Sequence, residues 1–183
     1  MYLYKMSTKI IVLGDSLSGK TSLVHRFCFS SYPHVSKTIA IDCTSRLLKF
    51  NNKLYKIQFW DVAGGPQWQT LYPKYIKNAN IAIVVYDVSN RQSFINIQKW
   101  INMVRQEKGT SFPIIVIANK IDKQSERVVD SDTYTAFDNI FLIETSATYG
   151  TNCKDALKII VSFSKEILTT TVEKPWYYKL IGL

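Results

Sequence analysis

Two stretches, IAIVVY at residues 81–86 and PIIVIAN at 113–119, are apolar without interruption. A strand with one wet face alternates apolar and polar residues. An unbroken apolar run of strand length is what a strand requires when helices cover both of its faces, the usual setting of a parallel sheet. The rest of the chain keeps that rhythm. KIIVLG (9–14) precedes a helical KTSLVHRFCF (20–29), and SFINIQKWINMVRQE (93–107), a short helical SDTYTAF (131–137), IFLIETSA (140–147) and NCKDALKIIVSFSKEIL (152–168) continue the alternation. RLLKF (46–50) and LYKIQFW (54–60), joined by a polar NNK, form the one pair that suits an antiparallel hairpin at a sheet edge. The expectation is a three-layer α/β fold with a six-stranded, mostly parallel sheet and about five helices.

A length of 183 residues and 46% hydrophobic content suffice for one compact domain with a full core, and one domain is the expectation. Lys and Arg number 23 against 14 Asp and Glu, a formal +9 that favours anionic partners. The positive residues are scattered, with no polybasic run or arginine–aromatic repeat, which speaks against a dedicated nucleic-acid binder. The three cysteines, Cys28, Cys43 and Cys153, are far apart and contain no CxxC pair, so zinc and disulfide frameworks are not indicated and a reducing, cytosolic setting is expected. No apolar run reaches the roughly 18 residues needed to cross a bilayer, and MYLYKMSTK does not resemble a secretory signal.

In parallel α/β sheets, ligands sit beyond the carboxyl ends of the strands, and the loops there carry the chemistry of this chain. The first reads GDSLSGKT (14–21), a G-x-x-x-x-G-K-[ST] pattern between a strand and a helix. Gly14 and Gly19 allow the backbone N–H groups to wrap around phosphate oxygens, Lys20 reaches the terminal phosphates, and the hydroxyl of Thr21 suits Mg²⁺. The helix beginning at Lys20 adds the positive end of its dipole. Asp15, Ser16, Leu17, Ser18, Gly19, Lys20, Thr21 and Ser22 are therefore candidate nucleotide contacts. A chance glycine turn before a lysine and a threonine is the bland alternative, and the flanking strand and helix weigh heavily against it. The loop alone does not choose between kinases, ATPases and GTPases.

NKID (119–122) makes that choice, at the end of the run PIIVIA. A carboxylate at Asp122 accepts from the N1–H and exocyclic amine of guanine. Adenine has no donor to offer at either place, and a polar group left unpaired discriminates strongly. Asn119 is expected to tie this loop back to the phosphate loop, and the stem of Lys120 to lie on one face of the base. After the last strand, ETSAT (144–148) brings Ser146, Ala147 and Thr148 to the same edge, with the N–H of Ala147 available to the guanine carbonyl. Four residues of NKID are a weak signal alone. In order after a phosphate loop they favour GTP and GDP over ATP.

With these motifs in place the chain resembles the small GTPases of the Ras superfamily over about residues 8–168. Within them it is most similar to Rab proteins, on GDSLSGKTSLVHRF, TIAIDC (38–43), WDVAG (60–64), YDVSNRQSFINIQKWI (86–101), NKID and ETSA. The resemblance implies the P-loop NTPase fold of small G proteins in residues 1–168, with 169–183 as a C-terminal tail. It implies that Thr38 contributes its hydroxyl to Mg²⁺ and its N–H to the γ-phosphate. Asp61 would hold Mg²⁺ through water, the N–H of Gly64 would sense the γ-phosphate, and Tyr32 would lie against base or ribose. Lys20, Thr38 and Gly64 are thus the expected catalytic set, and Thr21, Thr38 and Asp61 the expected metal set. Effectors, exchange factors and activating proteins would bind through residues 35–45 and 60–77, where Trp60, Trp68 and Tyr75 stand at aromatic places that Rab proteins present. Packing in the core is an equal alternative for Trp60. Cys43 replaces a phenylalanine usual in Rab proteins, and Thr148 a commoner lysine.

One motif departs further. In WDVAGGPQW (60–68) the residue after WD[TV]AG is Gly65, followed by Pro66, where the family keeps the glutamine that orients the attacking water. Gln67 lies two positions on and would need a rearranged loop to substitute. The expectation is a switch that senses GTP and hydrolyses it slowly unaided, regulating vesicle or membrane traffic. The competing reading is a pseudo-GTPase that keeps GTP as a structural ligand of a constitutive binding module, and a nucleotide kinase is a weaker one. Leu17 occupies a phosphate-loop place often held by glycine or alanine. The last cysteine is Cys153, so the sequence as it stands has no C-terminal prenylation site. The expected location is cytoplasmic, with any peripheral contact to a cytosolic membrane face made some other way.

Overall fold

The computed structural model describes residues 7–32, 40–50, 53–130 and 140–166. Thr38, the helix expected over 131–137 and the tail 169–183 lie outside the described residues. The strands are β1 (Ser7–Leu13), β2 (Ile41–Phe50), β3 (Lys53–Val62), β4 (Ile81–Asp87), β5 (Ile114–Asn119) and β6 (Ile140–Thr145). The α-helices among the described residues are α1 (Lys20–Phe29), α2 (Tyr72–Lys77), α3 (Arg91–Ile95), α4 (Ile97–Lys108) and α5 (Cys153–Glu166). The strands form one sheet in the order β2-β3-β1-β4-β5-β6, with only β2 and β3 antiparallel.

Every residue of β4 and β5 is buried, as their unbroken apolar runs require. Side chains alternate strictly between two cores. Ile10, Val12, Ile81, Ile83, Val85, Ile115 and Ile117 face α1 and α5, meeting Leu23, Val24, Phe27, Ala156 and Ile160. Ile11, Leu13, Ala82, Val84, Tyr86, Ile114, Val116 and Ala118 face α2 and α4, meeting Tyr72, Ile76, Ile97, Trp100, Ile101 and Val104. Each fully buried side chain of this size contributes roughly 1.5–3 kcal/mol.

The observed edge differs from expectation in two places. β2 begins at Ile41, so the antiparallel ladder includes Asp42 opposite Asp61 and Cys43 opposite Trp60, well before RLLKF. The expected long helix over 93–107 is divided at Asn96, with α3 capped by the side chain of Asn90, which accepts from the N–H groups of Gln92 and Ser93. The stretch after Gly64 carries no strong periodicity in sequence, yet it forms a 3₁₀ segment, Pro66–Leu71, running directly into α2. Pro66 stands at its first position, where its fixed φ suits a helix start and its missing N–H costs nothing.

Candidate functional site

The parallel strands all end at one edge of the sheet, and their outgoing loops meet there. The phosphate loop leaves β1 and is held from three sides. Gly14 has φ +137°, and a Cβ on it would stand 2.1 Å from the carbonyl oxygen of Val85, so only glycine fits against β4. Gly19 has φ +93°, and its would-be Cβ lies 2.2 Å from Nδ2 of Asn119. Asp15 is fixed by α4 and the residue before it: Trp100 Nε1 donates to its Oδ1 at 2.9 Å and Asn96 Nδ2 to its Oδ2 at 2.6 Å. Leu17 adopts a left-handed φ of 67° and is 81% exposed, so its side chain stands in solvent at the mouth.

Lys20 is buried and folds over the loop, its Nζ donating to the carbonyls of Gly14 at 3.0 Å and Asp15 at 2.7 Å. Burial pushes its pKa down to about 8, opposed by the carboxylates of Asp61 and Asp15. An ammonium held short of full solvation and aimed from a ring of backbone dipoles is suited to a polyanion. Beside it, Thr21 Oγ1 donates to Asp61 Oδ2 at 2.5 Å. A hydroxyl and a carboxylate at the end of β3 form a pair of hard oxygen donors, which fits Mg²⁺ that keeps most of its ligands from water and phosphate. Thr21 and Asp61 would hold that ion. Bound there, it would neutralise charge on the phosphate oxygens.

Gly64 explains the shape of the loop after β3. A Cβ at this residue would lie 2.4 Å from Gly14 O and 2.6 Å from Ser16 N, so the two loops touch backbone to backbone. Any segment that senses the phosphate at Gly64 therefore sits directly on the loop that binds it. The hydroxyl of the fully buried Tyr72 holds the far side, donating to Ala63 O at 2.8 Å and sharing with Gly65 O at 3.1 Å. A cavity of about 370 Å³ opens between the loops, lined by Ser16, Leu17, Gly19, Lys20, Thr21, Ser22, Tyr32, Gly64, Gly65, Gln67, Trp68 and Lys120 among others.

The base end is organised by Asn119. Its Nδ2 donates to Ser18 O at 3.0 Å, and its Oδ1 accepts from Thr145 Oγ1 and from the N–H of Ala147, both at 3.2 Å. One buried amide thus joins the loops after β1, β5 and β6. The Ala147 N–H, expected to face a guanine carbonyl, is engaged by Asn119 instead and would have to share its proton with the base. Asp122 is exposed, with Oδ1 accepting from Ser146 Oγ at 2.5 Å. The discrimination argued from an unpaired carboxylate therefore arises only when a base covers it. Lys120 has φ 68°, and its Nζ pairs with Asp87 Oδ2 at 2.6 Å.

The family model described as the Ras family matches residues 9–166. The chain belongs to the Ras family. It is a GTP-binding small GTPase, and proteins of this family bind guanine nucleotides with Mg²⁺ and engage regulators and effectors.

Several supports of this Ras-family site lie outside the candidate residues of the motifs. Burial alone would raise the pKa of Asp87, but hydrogen bonds from Lys120 and Ser89 hold its carboxylate below the ordinary value. Arg26 on α1 donates from Nε to Ala147 O at 2.9 Å and from Nη2 to Thr148 O at 2.6 Å, clamping the last loop. The aspartate of YDVSN was a visible signal for the first. Nothing local marks this role of Arg26, because Ala147 and Thr148 are 121 and 122 residues away. The three expected aromatic contacts separate: Trp60 and Tyr75 meet with ring centroids 5.3 Å apart, whereas Trp68 lines the cavity.

Proposed function

We propose that this small GTPase is a Rab-type switch of slow intrinsic turnover, which regulates vesicle or membrane traffic by binding effectors in its GTP state. The observation that carries the slow step is Gly65. It lies buried at the wall of the cavity and has no side chain with which to hold a water. Lys20 is the residue we assign to the phosphates, and Thr21 and Asp61 those we assign to Mg²⁺, so the affinity and the sensing step do not depend on residue 65. Losing one oriented contact to the attacking water slows hydrolysis by about tenfold or more. Support for the Rab type comes from YDVSNRQSF and from the Trp60–Tyr75 pair beside β2, and for traffic from that resemblance alone.

The test is single-turnover hydrolysis by the full chain and by Gly65→Gln. The substituted protein is expected to be faster by about tenfold, and equal rates would overturn the slow-turnover reading. The same preparation separates the second reading, which the missing side chain at Gly65 also favours. A wild-type protein that binds GTP yet never hydrolyses it faster than solution is a pseudo-GTPase with GTP as a structural ligand. The traffic role predicts that the full chain loaded with a non-hydrolysable GTP analogue enriches on cell membranes relative to the GDP-loaded form. Equal partition argues against it.

A further inference from the structure

We infer that Gln67 is the residue that orients the attacking water in this protein, from a position two residues beyond the family's glutamine. The inference rests on the GTPase reading and concerns the residues that carry out its chemical step. A Cβ built on Gly65 would lie 2.4 Å from Gln67 Oε1 and 2.8 Å from both its Cδ and its Nε2. All three heavy atoms of the carboxamide therefore occupy the space into which a side chain at residue 65 would begin to grow. No rearranged loop is required, contrary to the expectation from spacing.

The backbone explains how the carboxamide returns to this place. Gly65 is extended, with φ −83° and ψ 149°, and Pro66 then turns the chain into the 3₁₀ segment. The N–H of Trp68 closes that turn on Gly65 O at 3.1 Å, and Tyr72 holds the same carbonyl from the core side. Gln67, inside the turn, is thereby folded back over Gly65, and it lines the same cavity as Lys20, Thr21 and Gly64. Glycine at 65 is what makes room. Any larger residue would displace the amide.

In the step itself the oxygen of a water bonds to the γ-phosphorus as the bond from that phosphorus to the β–γ bridging oxygen breaks. GDP leaves with the electron pair, and the proton released by the water ends on phosphate or solvent. A carboxamide contributes without changing its own protonation: its oxygen accepts from the water and its N–H₂ donates towards the phosphoryl oxygens. Gln67 is exposed and reaches from a displaced backbone, so it is held less tightly than a glutamine at 65 would be. That accounts for turnover that is slow and still present.

Single-turnover GTP hydrolysis, measured together with binding of fluorescent GTP and GDP analogues and with thermal melting, tests this on the full chain. Gln67→Ala is expected to lower the hydrolysis rate by a further tenfold or about that, with analogue affinities and melting unchanged. Gln67→Asn, which draws the amide back by one methylene, is expected to do the same. Gly65→Gln placed in the Gln67→Ala protein is expected to restore the rate. Hydrolysis by Gln67→Ala at the wild-type rate overturns the assignment, as does a loss of GTP affinity that accounts for the slower rate. A wild-type chain that does not bind GTP, or that binds it without hydrolysing it, defeats the GTPase reading on which the assignment rests, whereas a hydrolysing wild type matched by Gln67→Ala defeats the Gln67 assignment alone.

Discussion

Leu17 shows how a single residue carries strain at a binding loop. Its φ of 67° belongs to the left-handed region, where the Cβ of an L-residue crowds the carbonyl, and its 81% exposed side chain gains no packing in return. Leu17→Gly is therefore expected to stabilise the protein by about 1 kcal/mol, read from the midpoint of a urea transition at constant slope. A lower midpoint would mean that the leucine makes contacts not evident from its exposure. Gly65 and Gln67 show the opposite arrangement, a missing side chain whose space is filled by a neighbour.

The element that decides base recognition is the loop after β5, and it is fastened from β4. Asp87 at the end of β4 pairs with Lys120 at 2.6 Å, holding a residue whose own backbone is left-handed. Asp87→Asn removes the charge but keeps the shape, and release of bound GDP is expected to quicken by several-fold, the scale of about 1 kcal/mol for a partly exposed pair. Stopped-flow displacement of a fluorescent GDP analogue measures it. The sign with pH is fixed by the depressed carboxylate. Asp87 contributes stability above its ordinary pKa of about 3.9, and that contribution is lost as pH falls through its lower folded value. The stability difference between wild type and Asp87→Asn should therefore be full at neutral pH and vanish in strong acid. A difference independent of pH would assign the effect to something other than the charge.

At the scale of the molecule, one site gathers the loops after β1, β3, β5 and β6, so a nucleotide that occupies it bridges most of the sheet. Mg²⁺ with excess GDP is expected to stabilise the whole domain by about 4 kcal/mol at a thousandfold excess over Kd, read as a higher melting temperature in one cooperative step. Chelating the metal should lower it and speed release, because Thr21 and Asp61 lose the ion they would share. A melting curve indifferent to both additions would contradict the site. Much of this architecture was already legible. The unbroken apolar runs of β4 and β5 required cover on two faces, and GDSLSGKT, NKID and ETSA required their places at strand ends, because local periodicity and short-range loop geometry are written in consecutive residues. What the sequence could not disclose were contacts between residues distant along the chain. Examples are Arg26 on the carbonyls of Ala147 and Thr148, and Trp100 and Asn96 on Asp15. The sequence by itself determined that residue 65 has no side chain. Only the tertiary structure decided what fills that space, because the path of the chain through Pro66 and the hold of Tyr72 bring the Gln67 amide back over it.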